Sequence, residues 1–250
     1  MIRTSLMLAA LCGLFLVGTA VAGEVGSVKG RFVLDGDKPE LSPQPLIKKG
    51  DASVKDAVAC AAVDVPNQAI VIGEDGGIAN LFVYLKDTPD ELPEEAGEVP
   101  SEPLLFDQQN CIFLPHAVAV RAGRPIELKN SDPVAHNVRV NFFANSGINP
   151  IIPGNGSQEV TFDVGESSPT PVSCDIHPHM RASLLVCDHP YFAVTGEDGS
   201  FEIKNLPAGK HTFRVWHEQG GLVERSMKVE IEAGETTDLG DVEVKGRDLE

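Results

Sequence analysis

Short runs of apolar and β-branched residues alternate with turn-forming residues along most of the chain. No long stretch repeats its apolar residues at the helical period, so extended amphipathic helices are not predicted. Many short strands separated by turns are typical of β-sandwiches, and we therefore expect an all-β protein. The predicted strands cover residues 26–34, 69–72, 78–85, 117–120, 126–129, 136–143, 159–162, 182–186, 201–203, 212–216 and 226–231.

The strand pattern is interrupted between residues 87 and 103. This segment is acidic and proline-rich, and it contains few side chains that a core could bury. Such a composition is typical of solvated linkers and long loops. We predict that residues 87–103 form an acidic linker.

The N-terminus has the three regions of a secretory signal peptide. A basic residue, Arg3, precedes an apolar run over residues 6–17, and Ala20-Val21-Ala22 provides a small-residue cleavage site. Lipidation at Cys12 is the competing interpretation, but Leu11 is too large for the position before a lipidated cysteine. We expect residues 1–22 to be removed and the mature protein to be periplasmic or extracellular. No later segment approaches the roughly 20 apolar residues that span a membrane.

The chain is strongly acidic, with a formal net charge of −17. Such a charge repels nucleic acid and anionic lipid and favours a partner protein with a basic docking patch. The same charge could serve only to keep an exported protein soluble. Composition leaves both interpretations open.

The middle third of the chain contains the candidate chemistry. Cys174, His177 and Met180 follow one another at C-x-x-H-x-x-M spacing, and His136 supplies a second imidazole after the turn at Asp132-Pro133. A thiolate, two imidazoles and a thioether are the ligands of copper sites that transfer electrons. Cysteine with two histidines also suits tetrahedral zinc, which is the alternative at this stage.

In this region, from Cys111 to Cys187, the sequence resembles the blue copper proteins (cupredoxins), and the amicyanin-like members most closely. The resemblance includes the 113–123 strand, the turn before His136, and the proline that follows His177. It implies a Greek-key cupredoxin sandwich over residues 104–188 that holds one type-1 copper. His136 would lie on one loop, and the other three ligands, Cys174, His177 and Met180, would lie on the loop that joins the last two strands.

The resemblance also implies that His177 meets solvent and that a redox partner docks at that edge. Three positions differ from the family pattern. Ile176 replaces a proline, so its backbone N–H could point at the thiolate; Asp175 could bond Asn137 or merely face solvent. His179 stands where an aromatic residue is usual, and we expect it to flank the site near the exposed edge rather than to bind metal.

The two ends of the chain resemble halves of carboxypeptidase-regulatory-like β-sandwiches. The first half is represented by residues 26–36, and the closing half by residues 193–215 with their hairpin turns. We therefore predict that residues 23–86 and 189–250 pair into a second β-sandwich and that the copper domain is inserted between them.

The remaining cysteines and histidines have less specific interpretations. Cys60 and Cys111 could form a disulfide, which a count of cysteines does not decide, and Cys187 would then be a buried free thiol. His116 is expected to have a polar packing role. His189, His211 and His217 are expected to be ordinary surface residues.

The favoured function is that of an exported single-electron carrier that is not an enzyme. Copper enzymes need further metal sites, and the residues beside Cys174 are Ser173 and Asp175 rather than the histidines that couple copper to a catalytic cluster. The alternative is a non-redox copper-binding protein, or a cell-surface or carbohydrate-binding module with a degenerate cupredoxin domain.

Overall fold

The computed structural model describes residues 25–36 and 45–249. Strands are the main regular structure of the described chain, and the helical segments are short. The prediction of an all-β protein is therefore confirmed. The predicted signal peptide, residues 1–22, lies outside the described residues.

The strands and helical turns are numbered in chain order. The strands are β1 (Val25–Asp35), β2 (Phe82–Leu85), β3 (Leu104–Gln109), β4 (Ile112–Leu114), β5 (Ala117–Arg121), β6 (Ile126–Asn130), β7 (His136–Asn137), β8 (Arg139–Val140), β9 (Ile151–Ile152), β10 (Ser157–Val160), β11 (Thr170–Ser173), β12 (Arg181–Cys187), β13 (Phe192–Val194), β14 (Ser200–Pro207), β15 (Gly209–His217), β16 (Gly221–Ile231) and β17 (Thr236–Lys245). The helical segments are α1 (Ala57–Cys60) and two 3₁₀ turns, Glu94–Ala96 and Gly246–Leu249.

The middle of the chain forms two four-stranded sheets that enclose one core. Their strand orders are β10-β6-β3-β4 and β5-β12-β11-β8, and the short pair β7-β9 lies beside them. Buried side chains from both sheets share one cluster, which includes Phe106 of β3, Phe113 of β4, Val172 of β11 and Leu184 of β12. Because each sheet hides one apolar face against the other, this part of the chain is a β-sandwich.

Strands from the two ends of the chain pair with each other. β1 lies between β14 and β17, and β2 lies between β13 and β15 in a sheet completed by β16. Side chains from both ends share a second core, for example Phe32 of β1, Val83 of β2 and Phe213 of β15. The exact domain boundaries given above stay a prediction.

The run Ala182–Cys187 in β12 is buried on both faces. Leu184 and Val186 point into the first core. Leu185 and Cys187 belong to a third cluster with Phe82 of β2, in the sheet β13-β2-β15-β16. A strand that is buried on both faces has a nearly continuous run of apolar residues, which explains why apolar and polar residues do not alternate along β12. Cys187 is a buried free thiol, as predicted.

A loop before β2, which we call the cap segment (residues 45–65), lies against the sandwich formed by the middle of the chain. It contains α1 and is tied to the sandwich by a Cys60–Cys111 disulfide. Its small core of Ile47, Ala61 and Val65 packs against Ile112. The disulfide that the sequence left undecided is therefore present. The strand predicted at residues 69–72 is not formed, and this stretch has only an isolated bridge from Ile72 to Ile78.

The segment predicted as an acidic linker, residues 87–103, is held by contacts to strands from the middle and from the end of the chain. The Asn205 side chain donates to the Glu95 carbonyl at 2.7 Å, and Arg121 donates to the Gly97 carbonyl at 2.8 Å. Leu92 and Ala96 pack against the second core. Among the described residues, no helix has the length and apolar character that crossing a membrane requires.

Candidate metal centre

Three of the four predicted ligands meet at one end of the first sandwich. His136 is on β7, Cys174 directly follows β11, and His177 lies in the loop before β12. One ring nitrogen from each histidine and the cysteine sulfur lie within 4.8 Å of one another. All three side chains are buried. The fold therefore brings His136 next to Cys174 and His177, which lie 38 and 41 residues later in the chain.

The loop between β11 and β12 is closed by its own backbone. The Met180 N–H donates to the His177 carbonyl at 2.9 Å, and the Cys174 N–H donates to the Met180 carbonyl at 3.3 Å. These bonds continue the β11–β12 ladder, in which Ser173 pairs with Arg181. Met180 is fully buried in the first core beside this loop. Its role as the fourth ligand stays a prediction.

The Cys174 sulfur lies 3.3 Å from the Asn137 side-chain oxygen and is approached by several hydrogen-bond donors. The His177 backbone N–H lies 3.4 Å from the sulfur, and the Asn137 backbone also bonds to it. Burial alone would raise the pKa of the thiol, but hydrogen bonds from the two imidazoles and these backbone groups lower it to about 6. Cys174 is therefore a thiolate at neutral pH, which is the form that binds metals.

The expectation for Ile176 was wrong. Its backbone N–H does not point at the sulfur but donates to the Asn137 side-chain oxygen at 3.2 Å. That oxygen also accepts the Asp175 N–H at 2.8 Å, so one amide oxygen accepts hydrogen bonds from two consecutive backbone N–H groups of the loop. The second N–H at the sulfur comes from His177 instead.

Asp175 ties the two ligand loops together, as one of the two interpretations predicted. The Asn137 side chain donates to its carboxylate at 3.3 Å, and Asn149 donates to the same oxygen at 3.1 Å. Arg139 pairs with the other oxygen at 3.0 Å. This network holds β7 and the Cys174 loop in a fixed relation.

His136 is held from behind by Asp132. The two residues are four positions apart in the chain, and His136 Nε2 is 2.9 Å from Asp132 Oδ2. The carboxylate also accepts the backbone N–H groups of Asn110 and Cys111. Burial alone would lower the pKa of His136, but its hydrogen bonds to Asp132 and Cys174 raise it to about 9. The Asp132 side chain thus orients the ring and leaves Nδ1 facing the site.

His177 does not meet solvent, which corrects the expectation from the resemblance. Its ring is only 1% exposed because the cap segment lies over it. Nε2 of the ring lies 3.0 Å from Asp56 Oδ2, a residue 121 positions earlier in the chain. Sequence reasoning missed Asp56. The one available signal was Cys60, which lies four residues later and could pair with Cys111.

The other histidines divide into confirmed and corrected expectations. His116 is buried and bonds Glu218 at 2.8 Å, in keeping with a packing role. His179 is half-buried, its ring bonds the Cys111 backbone, and burial lowers its pKa, so it does not lie at an exposed edge. His189 and His217 are buried rather than on the surface, because two sheets meet there; burial lowers the pKa of His217 to about 4.

A second grouping of potential ligands consists of Cys111, Asp132 and His136. The Cys111 sulfur is in the disulfide and offers no thiolate. The Asp132 carboxylate is already engaged by His136 and two backbone donors. Within the part of the chain that the structure describes, the candidate groupings therefore reduce to one centre, built on His136, Cys174 and His177.

Comparisons with known proteins give partial structural likenesses. No protein-family model and no curated protein matches the chain. A Cu-containing nitrite reductase (NirK) from Thermus scotoductus SA-01 is similar at 19% identity and a TM-score of 0.32, over 40% of this chain and 27% of that chain. An oxidised amicyanin variant is similar at 19% identity and a TM-score of 0.31, over 42% of this chain and 97% of that chain. The Cu(I) form of another amicyanin variant is similar at 21% identity and a TM-score of 0.31, over 43% of this chain and 98% of that chain.

Likenesses at this level do not assign the chemistry of the centre, which depends on its own donors. A thiolate and two imidazoles, buried and already close together, fit a soft or borderline metal ion. The surrounding carboxylates and amides orient these donors without competing for the metal. The arrangement can therefore hold one ion of copper or zinc.

Proposed function

We propose that the protein binds one type-1 copper ion through His136, Cys174 and His177, with Met180 as the axial ligand, and that it carries single electrons. The observation that supports this most strongly is the preassembled, buried set of one thiolate and two imidazoles. Two histidines and a cysteine with a weak axial methionine suit electron transfer by copper.

The surroundings of the centre favour copper over zinc. Structural zinc sites use four strong ligands, usually thiolates, imidazoles or carboxylates. The nearest carboxylate, that of Asp132, is engaged by His136 and by two backbone N–H groups. The ligand loop also carries the buried thioether of Met180, which is a soft ligand that suits copper.

Rigid support of the ligands suits electron transfer. Each ligand is held by contacts of its own: His136 by Asp132, His177 by Asp56, and Cys174 by its neighbouring backbone N–H groups. A ligand set that keeps its geometry needs little reorganisation when the ion changes charge. Copper would supply the one-electron chemistry, and the chain would position it and exclude water.

We propose that the protein acts as a carrier without catalysis of its own, outside the cytoplasm. The flanking residues of Cys174, Ser173 and Asp175, offer no ligand pair for a second metal. The Cys60–Cys111 disulfide supports an oxidising compartment such as the periplasm or the extracellular space. The net charge of −17 favours a redox partner with a basic docking patch.

The visible spectrum of the copper-loaded protein tests this function. We expect intense Cu(II)–thiolate absorption, one copper per chain, and reversible bleaching by one electron. Cys174→Ala should abolish the colour. Cys187→Ala removes the other buried free thiol and should leave the colour unchanged.

Two results would contradict the proposal. A wild-type protein that binds copper without colour, or without a reversible one-electron couple, would favour the non-redox copper-binding or surface-binding alternative. Tighter binding of zinc than of copper would favour a structural zinc site.

A further inference from the structure

The cap segment places a carboxylate on the back of one candidate ligand. Asp56 Oδ2 lies 3.0 Å from His177 Nε2, and the ring between this contact and the centre is buried. Asp56 itself is 39% exposed on its side chain. The contact therefore closes the outer side of the centre, where the His177 ring would otherwise be open to water.

The two imidazoles of the centre are supported in the same way. Their Nδ1 atoms face each other at 2.9 Å, and each Nε2 atom meets a carboxylate, Asp132 behind His136 and Asp56 behind His177. A metal-binding histidine that donates its other N–H to a carboxylate has a fixed tautomer and ring orientation, and it is a more basic ligand. The geometry gives both histidines this arrangement.

The two supporting carboxylates are joined through the disulfide. Asp56 precedes α1, and its carbonyl accepts the N–H groups of Ala59 and Cys60. Cys60 is bonded to Cys111, and the Cys111 N–H donates to Asp132 Oδ2 at 2.8 Å. A short path of backbone, one disulfide and one hydrogen bond therefore connects the residue behind one ligand to the residue behind the other.

We propose that Asp56 is a positioning residue for the copper ligand His177 and that the Cys60–Cys111 disulfide keeps it in place. The inference depends on the proposed function for the identity of the metal. The Asp56 carboxylate accepts the Nε2–H of His177, which leaves the Nδ1 lone pair directed at the ion. A more basic imidazole and a nearby negative charge stabilise Cu(II) relative to Cu(I), so Asp56 lowers the reduction potential.

Asp56→Asn tests this with little disturbance of the fold. Asp56 has a left-handed backbone conformation with φ of 53°, which asparagine tolerates well. The matched control is Asp51→Asn, since Asp51 lies on the same cap segment and its carboxylate bonds only to Ser53 among the contacts of the described residues. Both variants remove one negative charge.

The first measurement uses the metal-free protein and ¹⁵N NMR of the imidazoles. In the wild type and in Asp51→Asn, His177 should be in the Nε2–H tautomer. In Asp56→Asn, the amide oxygen accepts the same proton more weakly than the carboxylate, so the His177 Nε2–H signal should shift upfield. This readout reports the hydrogen bond whether or not copper is the metal.

The second measurement uses copper. Asp56→Asn should weaken Cu(II) binding about 10- to 100-fold, the usual loss when the partner of a metal-binding histidine is removed. Its reduction potential should rise, whereas Asp51→Asn should match the wild type in both. Cys60→Ser/Cys111→Ser should change affinity and potential in the same direction as Asp56→Asn, and adding Asp56→Asn to it should change them little further.

The outcomes separate this inference from the proposed function. If Asp56→Asn matches Asp51→Asn in the His177 Nε2–H signal, in affinity and in potential, Asp56 is not a positioning residue. If the wild type shows no Cu(II)–thiolate absorption while the upfield shift of the Nε2–H signal is present in Asp56→Asn, the copper function is wrong and the support of His177 by Asp56 stands.

Discussion

His136 and His177 face each other through their Nδ1 atoms, which lie 2.9 Å apart. One of the two nitrogens must donate. The pKa of His136 is raised to about 9, despite burial, by its bonds to Asp132 and Cys174, so its ring carries both protons at neutral pH. Its Nε2–H donates to Asp132, and its Nδ1–H faces the Cys174 sulfur and His177 Nδ1.

Copper uptake should therefore release protons in a defined pH window. Because His136 must lose its Nδ1 proton to bind metal, about one proton should be released per ion between the pKa of Cys174, about 6, and that of His136, about 9. Below about pH 6 the thiolate is protonated as well, and the apparent affinity should fall more steeply with acid. Calorimetry in buffers of different ionisation enthalpy measures this release. Uptake near neutral pH without proton release would show that His136 is neutral.

Asp132→Ala should weaken both the fold and the centre. The substitution leaves the buried N–H groups of Asn110 and Cys111 without their acceptor, which costs about 1 to 3 kcal/mol of unfolding free energy. It also removes the bond to His136, so copper affinity should fall about 10- to 100-fold. Denaturant unfolding and chelator competition measure the two effects. Asp132→Asn keeps one acceptor and should lose less stability.

Met180→Leu should separate packing from ligation. Met180 is fully buried in the first core, and leucine conserves its volume, so stability should change by less than about 1.5 kcal/mol. If Met180 is the axial ligand, the blue colour should persist while the reduction potential rises, because the axial ligand tunes the potential. Met180→Ala should instead cost about 2 to 5 kcal/mol through the cavity that it leaves. A potential unchanged in Met180→Leu would show that Met180 only packs.

The N-terminal segment should not fold alone. β1 pairs with β14 and β17, and β2 pairs with β13 and β15, so residues 24–86 contain none of the strands that satisfy their edges. Circular dichroism should show an unfolded fragment. Addition of residues 189–250 should restore strand content if the two segments make one sandwich. Cooperative unfolding of the isolated fragment would contradict the predicted domain arrangement.

Electron transfer to a basic redox protein should slow as salt rises. The net charge of −17 attracts such a partner, and screening shortens the range of that attraction to about 10 Å at 0.1 M salt. Pro178 is exposed beside the buried His177, so Pro178→Glu should alter the rate without changing the copper spectrum if the partner docks there. Stopped-flow oxidation across a salt series measures both. An uncharged small oxidant serves as the control, because its rate should not depend on salt. A rate with the basic partner that also does not depend on salt would argue against electrostatic docking.

Local sequence patterns were enough to predict the strand-rich architecture and three of the side chains that meet at the centre. Cys174, His177 and Met180 follow one another at intervals of three residues. A tight loop between two strands allows few arrangements of their side chains. Strands with apolar or β-branched runs, such as β5, β6 and β15, were predicted nearly within their observed bounds. β17 was missed because its residues are mostly exposed, and it is held by parallel pairing with β1 rather than by an apolar run.

Tertiary structure decided what surrounds the centre. The Asp56–His177 contact, the burial of His189 and His217, and the path of residues 45–69 all depend on segments far apart in the chain. No local periodicity encodes such contacts, because they form only when the cap segment and the strands from the two ends of the chain pack against the middle sandwich. The sequence by itself determined which donors could bind a metal. The packing determined that water is kept from them and which carboxylate holds each imidazole, because burial and hydrogen-bond partners arise from the whole fold.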